Sequence, residues 1–317
     1  MVRQRSAKPL SAGSIPAVAS NSFTLPTPDN FHFVQTVEAH GWRRLAPFRW
    51  SPDEGVLRRA ESLGDVVVDL EIAFRSGALH VRCSPSQPPA LLEPRLRRMF
   101  QLDLDTREFI ELTRRAPTHT WVEASGFGRL LCGATLFEDA VKIITTTNVT
   151  WSQTVRMVEL LVEKCGRRAP SGQAAFPEPA DIARFNPEEL QRDARLGYRA
   201  KTIHALAHGI VDGSIDLDAI SDRSQTTEQS YKSYMRLPGI GPYGAAHLLA
   251  MDGRHDFIAV DTEFRRFVRD RYHGGRHVAD RTLLRRYAKW GRWKYLAYWS
   301  ELWESVATRL QPRDDEI

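Results

Sequence analysis

The sequence predicts an α+β fold in which a small N-terminal antiparallel β-sheet domain precedes a mostly α-helical domain. Two features carry that expectation. Apolar residues alternate along the chain up to about residue 86 and afterwards recur at helical spacing. The 317 residues are 42% hydrophobic, enough to bury a substantial core in one large or two ordinary domains.

Residues 1–28 hold Arg3, Arg5 and Lys8, many Ser, Ala and Pro, and no acid before Asp29. They are expected to be a disordered basic tail, with an organelle transit peptide as the alternative. The sheet domain with its connecting helices is placed at 29–115, the helical domain at 116–310, and a second tail at 311–317. Phe31, Phe33 and Gln35 are expected to open a strand. Val66, Val68, Leu70, Ile72 and Phe74 alternate, Ser76-Gly77 forms a turn, and Leu79, Val81 and Cys83 alternate again, which predicts an antiparallel hairpin. Thr135-Leu136-Phe137-Glu138 matches a capping box and starts a helix through Ile144, and Val155 to Cys165 continues as helix. Short breaks such as Phe176-Pro177-Glu178-Pro179 separate the helices that follow.

The most specific stretch is 237–261. In Leu237-Pro238-Gly239-Ile240-Gly241 the glycines permit a tight turn with exposed amides, and Pro242 suits the first turn of the next helix. Such a helix start attracts a phosphate. Ala245, Ala246, Leu248, Leu249 and Met251 supply a small apolar helix face, and Phe257-Ile258-Ala259-Val260 is a short buried run ending at Asp261. Asp261 is expected to cap the helix that begins Thr262-Glu263-Phe264; taken alone it is a capping carboxylate and no more.

Lys plus Arg number 44 against 39 Asp plus Glu, a net +5. The distribution is uneven: from Arg265 to Lys294 eleven basic residues face only Asp270 and Asp280. That cluster fits either a phosphate-binding surface or a solvated helix face. Cys83, Cys132 and Cys165 lie far apart, which suits neither a disulfide scaffold nor an iron–sulfur cluster. The ten histidines show no metal-ligand spacing. No stretch is long enough to span a membrane.

The LPGIG hairpin, its helix and Val260-Asp261 with Arg265 four residues on resemble the helix-hairpin-helix (HhH-GPD) DNA glycosylases of base excision repair. Ile144-Thr145-Thr146-Thr147-Asn148 with Met157-Val158-Glu159, and Leu196-Gly197-Tyr198-Arg199-Ala200, resemble segments of the 8-oxoguanine enzymes. Tyr287-Ala288-Lys289-Trp290 resembles the start of their last long helix. The likeness spans roughly residues 30 to 305. It implies that Asp261 is the catalytic carboxylate and that Leu237, Pro238, Gly239, Ile240 and Gly241 hold the DNA backbone, with an optional monovalent cation on the hairpin carbonyls. Asn148 would fill the hole left by an extruded base, and Tyr198, Arg199 and Arg265 would contact DNA.

Tyr243 stands where bifunctional members carry the Schiff-base Lys, and an aromatic residue there resembles the alkylpurine (3-methyladenine) branch. Glu263 replaces the His of the oxoguanine branch. A base pocket of Tyr243, Trp293, Tyr295 and Trp151 is expected, drawn in part from the aromatic residues Trp290 to Trp303, which are expected to crowd a C-terminal helix. The function implied is hydrolytic release of a damaged purine from double-stranded DNA by a monomer, without cofactor or metal, in a bacterial nucleoid or a eukaryotic nucleus or organelle. The alternatives are a non-catalytic DNA-binding protein, or a glycosylase/lyase using another amine such as Lys201 or Lys142. Asp261 is expected to work ionised, because amide hydrogen bonds at an N-cap favour the charged form.

Overall fold

The computed structural model describes residues 19–310. Five strands form one antiparallel sheet in the order β1-β5-β4-β3-β2, with β1 at Asn21–Pro26, β2 at Arg49–Ser51, β3 at Val56–Leu63, β4 at Val66–Arg75 and β5 at Ala78–Ser84. The alternation expected in β4 and β5 is what buries one face: Val68, Leu70 and Ile72 pack inward beside Leu79, Val81 and Cys83. Arg75 pairs with Ala78 across Ser76 and Gly77, whose φ values of 49° and 76° suit a two-residue hairpin of matching twist.

Two expectations fail at the N-terminus. Residues 21–26, placed in a disordered tail, form β1 along β5, with Leu25 buried and Pro26 on the sheet edge, where a missing N–H costs no ladder bond. The rest of that tail up to residue 18, with Arg3, Arg5 and Lys8, and the 311–317 tail lie outside the described residues. Phe31, Phe33 and Gln35 do not open a strand. Phe33–Glu38 is a helix, because Phe33, Thr36 and Val37 bury at three- and four-residue spacing and Thr36 Oγ1 donates to the His32 carbonyl at 2.8 Å. Phe31 and Phe33 cover the sheet face through Phe74 and Phe100, with ring centroids 5.5–6.4 Å apart.

One hydrophobic core runs from Leu25 in the sheet to Leu302 in the last helix. At its centre lies the helix Leu136–Thr146, buried from Leu136 to Thr145. Thr135 caps it by accepting from the Glu138 amide at 3.1 Å. Only half of the expected capping box forms. The Glu138 carboxylate accepts instead from the Ala134 amide at 2.9 Å and sits between Arg59 of β3 at 3.0 Å and Lys142 at 2.6 Å, tying sheet to helices. Trp151–Cys165 follows as helix, starting four residues earlier than Val155, with a complete capping box of Thr150 and Gln153.

The C-terminal aromatic residues do not share one helix. Ala288–Trp293 is a short 3₁₀ segment interrupted at Gly291 (φ 55°), and the last helix, Lys294–Leu310, begins after it. Among the described residues no helix is long and apolar enough to cross a membrane.

Candidate active site

The hairpin is built from a β-turn. The Ile240 amide donates to the Leu237 carbonyl at 3.1 Å, with Pro238 at the second position and Gly239 at the third with φ 76°, the arrangement of a type II turn. The side chains of Leu237 and Ile240 are buried and anchor the turn in the core, so only their backbone faces outward. Gly241 is the N-cap of the helix Pro242–Met251 and adopts ordinary extended backbone, with open space where a Cβ would stand.

The two glycines therefore do different work. At Gly239 a Cβ would sit 2.2 Å from Thr202 Cγ2, in a backbone region that L-residues avoid. Gly239→Ala is expected to destabilise the fold by about 3 kcal/mol, whereas Gly241→Ala should melt like the parent. Paired thermal melts check this, and equal melting of the two variants would contradict it.

The helix Thr262–His273 starts at Asp261, whose Oδ1 accepts from the Phe264 amide at 2.7 Å. The amide bonds of this cap favour the ionised form as expected, but they do not set the balance. Burial pushes the Asp261 carboxyl above the usual aspartate value and outweighs the amide bonds that pull it down. Tyr243 faces the same carboxylate: burial first, and then the Asp261 charge, push its phenol up to about 12, so it stays neutral.

Four residues along the helix, the His247 ring lies 5.6 Å from that of Tyr243. Behind it stand His40, with Nε2 to Nε2 at 3.0 Å, Trp42 stacked on His247 at 5.6 Å, and Tyr295 at 5.9 Å. Trp299 stacks on Tyr295 at 5.8 Å. Burial holds both histidines below their ordinary range, His247 at about 4, so the wall is aromatic and uncharged.

Of the expected pocket residues, Tyr243 and Tyr295 belong to this wall, Tyr243 half-buried in front and Tyr295 fully buried behind. Trp151 begins its helix with its indole against Gly41, where an added Cβ would come within 2.8 Å of it, so it borders the His40 segment. Trp293 does not join them. It packs on Phe109 and His255, both at 5.7 Å, and donates its N–H to Glu108 at 3.0 Å, because side chains two positions apart in helical backbone point to different sides. His40, Trp42 and His247 were missing from the expected set, and Trp299 stood only in the wider pool of C-terminal aromatic residues. Of the three, only His247, on the Tyr243 face of one helix, had a local signal.

Asn148 is exposed with φ 52°, a backbone that Asn tolerates, and its Nδ2 donates to the hydroxyl of Tyr198 at 3.4 Å. Tyr198 is 61% exposed, its ring on the Arg199 guanidinium at 4.5 Å. Arg199 itself is only 5% exposed, which corrects its expected role as a DNA contact. Its guanidinium donates to the carbonyl of Thr147 and, at 3.3 Å, to Thr147 Oγ1, so it fixes the residue next to Asn148.

Arg265 is exposed enough for contact but pairs with Asp280 at 2.8 Å. Glu263 pairs with Arg266. The basic stretch is thus partly neutralised, while exposed Arg276, Arg281 and Arg285 have no carboxylate within ion-pair distance among the described residues. Arg281 and Arg285 line a cleft of about 800 Å³ with Arg265, Pro242, Tyr243 and Val260, which brackets the hairpin helix start and the chain entering Asp261.

As for a substitute amine, Lys142 is fully buried on Glu138 at 2.6 Å and is excluded, while Lys201 is exposed on the helix Arg199–Val211. Among the described residues no group of three or more His, Cys, Asp or Glu could hold a metal ion, and the three cysteines are buried and unpaired.

Residues 141–291 match the model of the HhH-GPD superfamily base excision DNA repair proteins. A search of curated protein sequences finds no match. Among solved structures the chain is similar to the 3-methyladenine DNA-glycosylase from Archaeoglobus fulgidus, at 17% identity over 90% of this chain and 99% of that one, with a TM-score of 0.71. It is also similar to the 8-oxoguanine glycosylase/lyase of Clostridium acetobutylicum in its apo form, at 17% identity over 89% of this chain and 95% of that one, TM-score 0.69. The same Clostridium enzyme in complex with double-stranded DNA containing cytosine opposite 8-oxoguanine matches at 17% identity over 89% and 93%, TM-score 0.69. The likenesses establish the fold over nearly the whole chain, and the matched stretch contains Asn148, Arg199, the hairpin and Asp261. Over residues 141–291, which hold the hairpin and Asp261, the chain carries a domain matching the HhH-GPD superfamily of base excision DNA repair proteins.

Proposed function

We propose that this chain is a monofunctional DNA glycosylase that extrudes a damaged purine from duplex DNA and hydrolyses its N-glycosidic bond to leave an abasic site. The observation that carries the reading is the pairing at the hairpin helix of a half-buried carboxylate, Asp261, with a neutral phenol, Tyr243, where a lyase needs an amine. The bond between base nitrogen and sugar carbon breaks with its electrons leaving on the base. Positive charge then builds on the sugar, and a nearby carboxylate stabilises it until water adds. A phenol at position 243 cannot form the Schiff base that precedes strand cleavage. The Asp261 carboxyl, raised by burial, is also the better proton acceptor for that water than an exposed aspartate would be.

A purine substrate is supported by the two structural neighbours, named for 3-methyladenine and 8-oxoguanine. An uncharged aromatic wall backed by one carboxylate suits a base whose bond to the sugar is already weakened, since no amine assists departure. The exposed Asn148 and Tyr198 pair, the exposed Gly241 at the hairpin helix start and the unpaired Arg281 and Arg285 support duplex DNA as the partner, gripped by a monomer.

Duplex oligonucleotides carrying 3-methyladenine, 7-methylguanine, 8-oxoguanine or hypoxanthine test the proposal. The expected result is strand breakage only after heat or alkali, and no covalent adduct on borohydride. Breakage without alkali, with an adduct lost in Lys201→Ala, would overturn the monofunctional assignment. Failure on every purine would overturn the substrate class.

A further inference from the structure

Three segments far apart in sequence bring unpaired polar atoms together behind Tyr243. His40 and His247 touch only through Nε2, at 3.0 Å, and 207 positions separate them in the chain. Both rings are buried, at 2% and 6% exposure, and the Nδ1 of each has no hydrogen-bond partner, nor has the buried Tyr295 Oη. Buried polar atoms without partners are costly, and a cluster of them calls for an explanation.

The 3.0 Å contact holds one proton, since two N–H groups would collide and two lone pairs would repel. In neutral rings the remaining proton then lies on the Nδ1 of the accepting histidine. The two rings are therefore locked in opposite tautomers, and each one's tautomer is dictated by the other. His247 lies on the Tyr243 face of the hairpin helix, its ring 5.6 Å from that of Tyr243 and its Nδ1 buried.

We propose that His247 Nδ1 is the hydrogen-bonding reader of the extruded base, and that His40 is a positioning residue that holds His247 through Nε2 and couples the tautomer in which it presents that nitrogen to its own. The proposal rests on the glycosylase reading above and adds how the base is recognised. The ligand is a heteroaromatic base lying against Tyr243 with a polar edge toward His247. Trp42, stacked on His247 and donating its own N–H to Asp139 at 2.6 Å, keeps the imidazole plane fixed for this contact.

The test separates base recognition from bond cleavage by using the Asp261→Asn protein for binding. Fluorescence anisotropy compares a duplex carrying a base with one carrying a tetrahydrofuran abasic site, which has no edge to read. The base is the purine the parent excises fastest, or hypoxanthine if it excises none. His247→Phe keeps the ring and removes the nitrogens. It is expected to weaken binding of the base-bearing duplex about tenfold and leave the abasic duplex unchanged. His40→Ala should do the same, and His40→Gln, whose amide takes the Nε2 position, should restore binding to within threefold.

Equal weakening on both duplexes, no weakening on either, or failure of His40→Gln to differ from His40→Ala would overturn the proposal. A parent that excises nothing while His247→Phe still loses only the base-bearing duplex would defeat the enzymatic reading and leave this one standing. A parent that excises a purine with His247→Phe unchanged would do the reverse.

Discussion

Asp261→Asn should lower the single-turnover rate of base excision by about 100- to 1,000-fold, the usual effect of deleting one preorganised electrostatic stabiliser, with duplex affinity equal or slightly tighter. The substitution is conservative in shape. An Asn at this position can still accept from the Phe264 amide, which Asp261 does at 2.7 Å, and Asn is as good an N-cap as Asp. What is lost is the charge, and a backbone polyanion binds no worse when a carboxylate leaves its path.

Because burial raises the Asp261 carboxyl, holding it ionised costs stability at neutral pH, so Asp261→Asn should also melt higher than the parent. The same shift sets the pH profile. Activity needs the ionised form, so the acid limb of the rate should turn down at a higher pH than an exposed aspartate would give. A variant with less than a tenfold loss would remove Asp261 from the mechanism. A large loss with a lower melting temperature would mean that the cap, not the charge, had been damaged.

The parts of this molecule legible in the sequence are those decided by local chemistry. Gly239 had to be glycine for its turn, Asp261 had to end one segment and start another, and β4 and β5 alternate about a two-residue turn, so each could be read within about ten residues. The failures share the opposite property. Phe31 and Phe33 alternate over too few residues to separate a strand from the helix that Phe33 and Val37 complete. The strand Asn21–Pro26 is short, polar and set in a Ser- and Pro-rich stretch, and it exists because β5 offers an open edge. Arg199 reads as a surface cation until the Thr147 carbonyl is found against it, 52 residues away. Trp293 and Tyr295, two positions apart in helical backbone, point to different sides, and only the fold shows that Glu108 lies on one side and His247 on the other. The His40–His247 contact leaves no trace in either segment alone.

The largest loss of stability is expected at Glu138, away from the hairpin. Burial alone would push its carboxyl up. Arg59 and Lys142 more than offset that and hold it at about 2, against 4.5 for a free glutamate. A carboxyl held below its free value contributes stability while it is ionised. That stability is fully present above the free-glutamate value and is lost as the pH falls from there toward 2, so acid should unfold the protein in that window.

Glu138→Gln removes the charge at all pH values and, among the described residues, leaves Arg59 with Glu61 as its one carboxylate and Lys142 with none within ion-pair distance in a fully buried site. A loss of about 4 kcal/mol, or on the order of 10 °C in melting temperature, is expected. Lys142 can escape part of this by giving up its proton, since burial already holds its pKa below that of a free lysine. Replacing both Glu138 and Lys142 by Met should therefore recover at least half of the loss, because Lys142 already lies against the rings of Phe48 and Phe176 and an apolar pair fits that surrounding. If the double variant melts below Glu138→Gln, the attraction within the cluster exceeds its desolvation cost, and the ion pairs themselves, not merely their mutual neutralisation, hold sheet to helix.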